Sequence, residues 1–350
     1  MAKIIYGVAG EGFGHSSRSH LIAQHLIEQG HDIIFAASGK SLLYMRRYFG
    51  QRVKEVYGPS FVFKDGQLAR MRTVKKNIKG FVSEHYKNSQ LYRDQFKPFE
   101  PDLVISDFEP FSAWWAWWNK VPCISINNEH LLTLCKLEHI EKQWLPKLAS
   151  DTVTRIFCID PVKYLIMSFF EAPLKTKRAV IVPPVVRQAV ETLKPTQGEH
   201  ILYYAGTYMT MEKLLNIFKA FPHQKFIIYS FDNNFVQENC VFRKIATDGF
   251  LDDLASCRAV IATAGFSLLS ECMYLRKNML LLPQHGQYEQ MLNAHYAQKL
   301  GLASSTMSLD KNVLAAFLET LDKPRIPDKT VIWPDNKKFL HILEDTMAKI

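Results

Sequence analysis

Short apolar runs alternate with amphipathic segments along the first half of the chain. Buried strands are predicted at IIYGVA (4–9), DIIFAA (32–37), DLVISD (102–107), CISIN (123–127) and RIFCID (155–160). Between the first two, SRSHLIAQHLIEQ repeats its apolar positions at helical spacing. Continuously apolar strands are buried on both faces, so this alternation predicts a mostly parallel sheet with helices on both sides.

The pattern breaks at residues 183–198, where a Pro pair, a further Pro and a Gly follow one another. It then restarts with the strands ILYYAG, KFIIYS, AVIATAG and MLLLPQ and with helices such as MEKLLNIFKAF and SLLSECMYL. We therefore predict an α/β protein of two Rossmann-like, doubly wound domains that face each other across a cleft. The expected boundaries are 1–185, 186–335 and a final helix at 336–350 that packs back on the first domain.

Composition narrows the class of protein without choosing a ligand. The 350 residues are 47% hydrophobic and 22% charged, as in ordinary globular proteins. Six cysteines stand singly, without a zinc-binding spacing, and no apolar run is long enough to span a bilayer; we expect a cytoplasmic protein with reduced thiols. The net charge of +9 favours anionic partners. The basic residues form no nucleic-acid motif, so no nucleic acid is expected among them.

The loop GEGFGH (10–15) follows the first predicted strand. Its glycines are not spaced as in the dinucleotide fingerprint, and the second strand ends in AAS rather than in an acid that could bind a ribose. What remains is a strand-to-helix turn in which Gly12 and Gly14 free the backbone for a ligand and His15 stands at the rim. Arg18 adds positive charge one turn further on. A tight turn with a solvated histidine is the alternative.

A second motif extends over residues 263–296. A strand ends in the turn Gly265-Phe266, and Ser267 can cap the next helix, so that free amides and a helix dipole face a phosphate. Glu271, about one turn into that helix, could accept both hydroxyls of a ribose. The following loop and helix carry side chains that suit sugar hydroxyls: Gln287, Glu289, Gln290 and Asn293.

This arrangement resembles the donor-binding half of GT-B glycosyltransferases, closest to the family of MurG and the UDP-glycosyltransferases. The resemblance rests on the glycine turn with Ser267, on Glu271, and on Glu289-Gln290 followed by Asn293-Ala294. The glycine loop ending in His15 and the strand PDLVISD also match the family. At 276–278 the sequence RKN replaces the usual Gly-x-Pro, so we expect a turn of different backbone geometry there.

Two further loops fit the same resemblance. Gly206-Thr207 stands where the family's first carboxy-domain loop approaches the diphosphate. Phe250, preceded by Asp248-Gly249, stands where the family holds the nucleobase with backbone atoms. An ordinary turn is an equally good interpretation of each loop taken alone.

The resemblance implies an inverting, metal-independent transferase that takes its sugar from a UDP-linked donor, which is a substrate rather than a cofactor. The sequence has no DxD triplet for a metal, so the helix near Ser267 would neutralise the leaving diphosphate. His15 is the candidate base, with Asp107 orienting it or acting in its place, and Glu109 is the third candidate.

The acceptor side is less specific. KDGQLARMRTVKKNIKG (64–80) carries Arg70, Arg72 and Lys75 with little opposing charge. Either it is a solvated face, or, with Arg18, it binds an anionic acceptor such as a lipid-linked phosphate or a cell-envelope glycan, with peripheral contact to the inner face of an anionic membrane. Of the four tryptophans in FSAWWAWW, we expect most in the core and one or two in an acceptor groove.

Two other functions stay open on the same scaffold. A UDP-sugar 2-epimerase would bind the same donors but needs no acceptor groove. A non-catalytic sensor would bind a sugar nucleotide without turning it over.

Overall fold

The computed structural model describes residues 1–10, 12–58, 86–138, 140, 144–206, 208–231, 233–244 and 249–350, and the backbone of 63–64 and 67–68. The chain divides into two compact units. The first consists of Met1–Val62, Ala69–Arg187 and Asp335–Ile350, and the second of Phe63–Leu68 and Gln188–Pro334. The chain thus passes from the first unit to the second a few residues after the Pro pair.

The first half of the chain alternates strands with helices. Short 3-10 and π-helical segments occupy Gly50–Arg52 and Tyr92–Phe96. The strands and helices are β1 (Lys3–Val8), α1 (Gly14–Glu28), β2 (Asp32–Ala37), α2 (Gly39–Phe49), β3 (Val53–Glu55), β4 (Phe63–Lys64), β5 (Gln67–Leu68), α3 (Lys97–Phe99), β6 (Leu103–Asp107), α4 (Pro110–Asn119), β7 (Cys123–Asn127), α5 (His130–Leu134), α6 (Trp144–Phe157), β8 (Lys163–Met167) and β9 (Ala179–Val182).

The second half repeats this alternation and ends in a helix. Its elements are α7 (Gln188–Glu191), β10 (Ile201–Tyr204), α8 (Met211–Phe218), β11 (Phe226–Ile228), β12 (Phe235–Gln237), β13 (Cys240–Phe242), α9 (Phe250–Ser256), β14 (Ala259–Ala262), α10 (Phe266–Tyr274), β15 (Asn278–Leu281), α11 (Tyr288–Lys299), β16 (Ser304–Ser305), α12 (Lys311–Thr320) and α13 (Asn336–Met347).

Each unit is built on a mostly parallel sheet, as the sequence predicts, and in the described chain each of these sheets has seven strands. The first sheet has the order β3-β2-β1-β6-β7-β8-β9, and its strands pair in parallel. The second has the order β12-β13-β11-β10-β14-β15-β16, parallel except for the β12–β13 pair. The inner strands β1, β6 and β14 are buried along nearly their whole length because helices cover both faces of a parallel sheet.

The order of both sheets reverses at one position, and ligands of open α/β sheets bind beyond the strand ends at such positions. In the first sheet β1 lies beside β6, with Val8 opposite Asp107. In the second, β10 lies beside β14, with Tyr204 opposite Ala262. Predicted site residues follow β1, β10 and β14, and Asp107 is the last residue of β6.

One predicted strand is wrong. RIFCID begins inside α6, which continues to Phe157, and the next strand is β8. The β-branched run TVTRI favours a strand by local propensity. In the structure this run is part of the helix α6, which buries only part of its surface. Propensity is a weak prior where tertiary packing decides.

The final helix α13 belongs to the first unit although most of the second unit precedes it in the chain. Phe339 and Leu343 are completely buried, and His25 Nε2 lies 2.7 Å from an oxygen of Glu344. The helix therefore packs on the first domain, as predicted. Among the described residues, no helix is both long enough and apolar enough to cross a bilayer.

Candidate functional site

Asp107 is the centre of a buried polar cluster at the end of β6. Its Oδ1 lies 2.8 Å from His15 Nδ1, and Arg18 donates from Nε to Oδ2 at 2.7 Å and from Nη2 to Oδ1 at 2.5 Å. Ser19 donates to Oδ2 at 3.0 Å. The three partners lie on the first turns of α1, directly after the glycine loop, so the β1–β6 pairing brings residues 88 to 92 positions apart into contact.

The cluster fixes the charge of Asp107. Complete burial opposes its ionisation, but the charges of Arg18 and His15 and their hydrogen bonds outweigh burial and lower the pKa of Asp107 to about 2. Arg18 likewise stays in its charged form. Burial alone would lower its pKa, but the carboxylate of Asp107 raises it. Asp107 is therefore a permanent anion at neutral pH.

The structure corrects the predicted role of Arg18. Its side chain is only 4% exposed and is engaged with Asp107. A guanidinium buried in this way cannot also receive an acceptor anion. Arg18 instead fixes the positions of His15 and Asp107.

His15 is the accessible member of the cluster. Its side chain is 16% exposed, and its ring stacks on Phe108 with a 14° interplanar angle. Phe108 has φ of 55°, a left-handed conformation that is strained for an aromatic residue. When Nδ1 donates to Asp107, the lone pair of Nε2 is left to accept a proton.

Glu109 has a structural role in capping a helix. It is the N-cap of α4, where its two carboxylate oxygens accept from the backbone N–H groups of Phe111 at 2.9 Å and Ser112 at 2.7 Å. It is 1% exposed, and burial raises its pKa. A Cβ on Gly7 would come within 2.9 Å of Glu109 Oε2, so this carboxylate lies under β1 and not with His15. The geometry therefore argues against Glu109 as the base.

The glycines of the loop at residues 10–15 have different structural reasons to be glycine. A Cβ at Gly10 would lie 2.3 Å from Ser38 Oγ, so Gly10 is required by packing against the start of α2. Gly12 has φ of 78° and nothing within 4 Å of its Cβ position. Gly14 is the first residue of α1, whose start has no side-chain cap among the described residues.

The corresponding turn of the second unit starts α10. Gly265 is the N-cap, with φ of −67° and no atom within 4 Å of its Cβ position. Phe266 is the first helical residue and Ser267 the second, and within the described chain no side chain caps the helix. The predicted capping by Ser267 is therefore wrong, because the helix starts two residues earlier than expected.

Residues of α11 hold this turn. Asn293 Nδ2 donates to Ala264 O at 3.0 Å and to Glu289 Oε1 at 3.2 Å. Gln290 donates to Gln287 Oε1 at 2.6 Å and accepts from the backbone of Gln284 at 3.1 Å. The structure thus brings together the glycine turn and the predicted sugar-binding residues. Asn293 Oδ1 is buried and, among the described residues, has no hydrogen-bond partner.

The remaining predicted donor residues have these places. Glu271, in the middle of α10, is buried, with 2% of its surface exposed. Gly206 follows β10 with φ of 56° and an open Cβ position. Phe250 starts α9 after Gly249, with its ring near those of Tyr204 and Tyr229. Thr207, Arg70, Arg72 and Lys75 lie outside the described residues.

Comparison with known proteins decides the family. The sequence profile of glycosyl transferase family 1 matches residues 2–322.

The chain belongs to glycosyl transferase family 1.

Known relatives agree with this assignment. An uncharacterized glycosyltransferase of Methanosarcina mazei is 24% identical over 375 residues, covering 93% of this chain and 92% of that protein. One from Methanosarcina acetivorans is 23% identical over 343 residues, covering 85% and 84%. The protein is thus a glycosyltransferase and an enzyme.

Solved structures of low identity establish the GT-B fold. The kitacinnamycin glycotransferase is 16% identical with a TM-score of 0.64, covering 92% of this chain and 91% of that one. Acinetobacter baumannii MurG is 12% identical with a TM-score of 0.62, and both chains are covered completely. Arabidopsis thaliana UGT89C1 complexed with UDP-L-rhamnose is 14% identical with a TM-score of 0.61, covering 99% and 94%.

This glycosyltransferase departs from its family's Gly-x-Pro at 276–278 without losing the turn. Arg276 has φ of 56°, the region that glycine favours, and its guanidinium lies 3.3 Å from the ring centre of Trp333. Lys277 is 8% exposed and donates from Nζ to the carbonyls of Thr196, Ala255 and Cys257 at 2.6–2.9 Å. Arg276 thus adopts a left-handed conformation at this turn, and the contacts of Arg276 and Lys277 hold it.

The tryptophans of the glycosyltransferase lie elsewhere than predicted. Trp115 packs against the core of the first unit, but Trp114, Trp117 and Trp118 are 41%, 46% and 78% exposed. Trp114 Nε1 donates to Ile156 O at 2.8 Å, which joins α4 to α6. Further apolar side chains of α6 are also exposed: Trp144, Leu145, Leu148 and Ile156. We call these seven exposed side chains of α4 and α6 the tryptophan surface.

Sequence reasoning missed Glu129. It follows β7, and its Oε1 lies 3.7 Å from His15 Nε2. The signal was present, because the polar run NNEH follows a buried strand whose carboxyl end lies at the same sheet edge as Asp107.

Proposed function

We propose that this glycosyltransferase moves a sugar from a nucleoside diphosphate donor, of which UDP-sugars are the first choice, to an acceptor hydroxyl with inversion and without a metal ion. The donor site is the α10–α11 region of the second unit, and the base is His15 of the first. The resemblance to UGT89C1, whose structure contains UDP-L-rhamnose, supports the choice of nucleotide.

Gly265 carries the donor proposal. Its φ of −67° is available to any residue, and nothing lies near its Cβ position, so neither backbone strain nor packing requires a glycine. A glycine that neither protein geometry nor packing demands, at the uncapped start of a helix, suits the close approach of a diphosphate to backbone N–H groups.

In the proposed transfer, one bond forms, one breaks and one proton moves. The acceptor oxygen bonds to the anomeric carbon, the bond from that carbon to the diphosphate breaks, and the acceptor proton moves to His15 Nε2. Asp107 accepts from Nδ1 and stabilises the imidazolium that forms. The pKa of Asp107, about 2, makes it a weak base at neutral pH, which favours His15 for this task. The helix dipole of α10 stabilises the departing diphosphate.

The test of the donor site is the variant Glu271→Gln. Glutamine keeps the size of the buried side chain but loses the charge that binds the ribose hydroxyls. We expect UDP binding to weaken by about 10-fold or more, the worth of a hydrogen bond to a charged group. Calorimetric titration with UDP measures it, after thermal-shift screening of nucleoside diphosphate sugars identifies the best donor.

The matched control is Glu319→Gln, a carboxylate on α12 of the same unit and outside the motif. It should bind UDP like the wild type. Equal UDP affinity of folded Glu271→Gln and wild type would remove Glu271 from the donor site. Binding of a sugar nucleotide by the wild type without transfer or hydrolysis would favour the sensor, and isomerisation of the sugar the epimerase.

We also propose a cytoplasmic enzyme whose tryptophan surface touches the acyl–headgroup boundary of an anionic membrane, from which a lipid-linked or envelope glycan acceptor is taken. Indole rings favour that boundary, and Lys120, Lys147 and Arg155 flank the surface with positive charge.

A further inference from the structure

The second oxygen of Glu129 is a buried acceptor without a donor. Glu129 is 9% exposed, and its Oε2 is inaccessible to solvent with no hydrogen-bond partner among the described residues. Glu129 stands at the start of α5, but in the described structure its side chain caps no helix N–H. Leaving a buried carboxylate oxygen unpaired costs free energy, so Glu129 is a side chain whose acceptor capacity the described protein does not use.

The position of Glu129 places this acceptor beside the proposed base. Its Oε1 lies 3.7 Å from His15 Nε2, too far for a direct hydrogen bond and wide enough for a polar group to contact both. The other nitrogen of His15 is already engaged with Asp107. His15 Nε2 and Glu129 Oε1, 3.7 Å apart, are therefore close enough for one ligand to contact both at the end of the first sheet.

A single alcohol cannot satisfy both atoms. The attacked hydroxyl has one proton, and in the proposed reaction that proton points to His15 Nε2. Glu129 then needs a second donor within a hydrogen-bond length of the first oxygen. A hydroxyl on the neighbouring carbon meets this condition, because vicinal hydroxyl oxygens in a gauche arrangement are separated by about one hydrogen-bond length.

We propose that Glu129 is a specificity-determining residue that binds a hydroxyl vicinal to the attacked one, so that the acceptor is a vicinal diol, such as a sugar or cyclitol ring, and not an isolated alcohol. This inference rests on the proposed function, in which His15 Nε2 takes the acceptor proton. Glu129 takes no proton in the step. It orients the acceptor by accepting the second hydroxyl's hydrogen bond.

The experiment compares two probes, trans-cyclohexane-1,2-diol and cyclohexanol, on the full-length protein. The ring resonances of ¹⁵N-labelled histidines report binding, with His15 assigned by its loss in His15→Gln. We expect the diol to shift the His15 resonance and cyclohexanol to leave it in place. With the best donor of the thermal-shift screen, kcat/KM for the diol should exceed that for cyclohexanol by about 10-fold or more, as one charged hydrogen bond predicts.

Variants assign the preference to Glu129. Glu129→Met removes the acceptor at similar length and should abolish the preference for the diol, so that kcat/KM for the two probes becomes equal. Glu129→Gln keeps a carbonyl oxygen and should retain part of the preference, and it serves if the Met variant does not fold. The control is Asp151→Asn, which changes another carboxylate with a buried oxygen that lacks a described partner, on α6. It should keep the full preference.

The outcomes separate the two proposals. Turnover with equal use of both probes, or a preference that persists in Glu129→Met, overturns the role of Glu129 and leaves the transferase proposal standing. A Glu129-dependent shift of His15 by the diol, without transfer to any acceptor, supports the diol site and contradicts the proposed base chemistry. No shift of His15 with the diol overturns the diol site directly.

Discussion

At the scale of single residues, the cluster around Asp107 shows how one buried carboxylate organises a site. Arg18, Ser19 and His15 all point to it from α1, and the charge of Arg18 keeps it ionised. Each of these side chains is polar and nearly all are buried, which is tolerated because every one has a partner. Within this cluster, solvent reaches the ring of His15, the member whose second nitrogen is left to accept a proton.

The proposed base predicts a specific pair of variants. His15→Ala should lower kcat by about 100-fold or more, since general-base catalysis is worth roughly that factor, and should leave UDP binding unchanged. Asp107→Asn should lower kcat as well, because a neutral amide at this position cannot stabilise the imidazolium. Steady-state transfer rates and UDP calorimetry measure both.

The outcome that contradicts this assignment is full activity of His15→Ala with the true acceptor. A control is His20→Ala on the same helix, whose ring packs against Tyr48 rather than against Asp107. It should transfer at the wild-type rate.

Asp107 also predicts the acid end of the stability curve. Its pKa in the folded protein, about 2, is below the ordinary value of 3.8, so its contribution is complete above about pH 4 and is lost as pH falls towards 2. Urea unfolding at about pH 6 and about pH 2.5 should show the wild type losing its advantage over Asp107→Asn by about 2 kcal/mol. A constant difference between the two proteins would mean that Asp107 is not held as an anion.

At the scale of secondary-structure elements, α4 and α6 combine a buried face with an exposed apolar one. Composition alone places four tryptophans of one helix mainly in the core, but of the four it is Trp115 that packs against the described core cluster of the first unit. The other three are exposed because α4 presents one face to the sheet and α6 covers another, which leaves the rest of the helix surface to solvent.

The membrane proposal predicts binding to anionic vesicles. The protein should sediment with vesicles of phosphatidylcholine and phosphatidylglycerol, and less with pure phosphatidylcholine, because Lys120, Lys147 and Arg155 flank the tryptophan surface. Trp117→Ser with Trp118→Ser should weaken the binding by about 10-fold or more, as loss of buried indole area predicts. Tyr48→Ser, an exposed aromatic residue on α2, is the matched control. Equal sedimentation of wild type and the double variant would contradict a lipid partner.

At the scale of the whole molecule, the chain returns to its first unit only at the end. Asn336 accepts from the backbone of Val186 at 2.9 Å and donates to its carbonyl at 2.8 Å, so the segment that leaves the first unit and the helix that re-enters it are held together. Each unit is compact by itself, and the first unit includes the last residues of the chain. Its packing therefore depends on those residues.

This topology predicts a local effect from a distant residue. Leu343→Ala should destabilise the first unit by about 3 kcal/mol, because the side chain is completely buried. Hydrogen exchange should show lost protection in β1 and β9 and unchanged protection in β10 and β14. His341→Ala, an exposed change on the same helix, should alter neither. Equal loss in both sheets would show that the two units do not unfold separately.

The sequence by itself determined the two-sheet architecture, because alternation of apolar strands and amphipathic helices is a local signal with one parallel-sheet solution. It also placed His15 with Asp107, and Gly265 with the α11 residues, because residues that follow neighbouring parallel strands lie at the same edge of their own sheet. Tertiary structure alone decided the rest. Arg18 and Glu109 are charged residues that only packing shows to be buried. The tryptophans of α4 are apolar residues that only packing shows to be largely exposed. Glu129 meets His15 through the pairing of β6 with β1 and β7. Burial and partners depend on contacts between distant segments, and no local pattern records them.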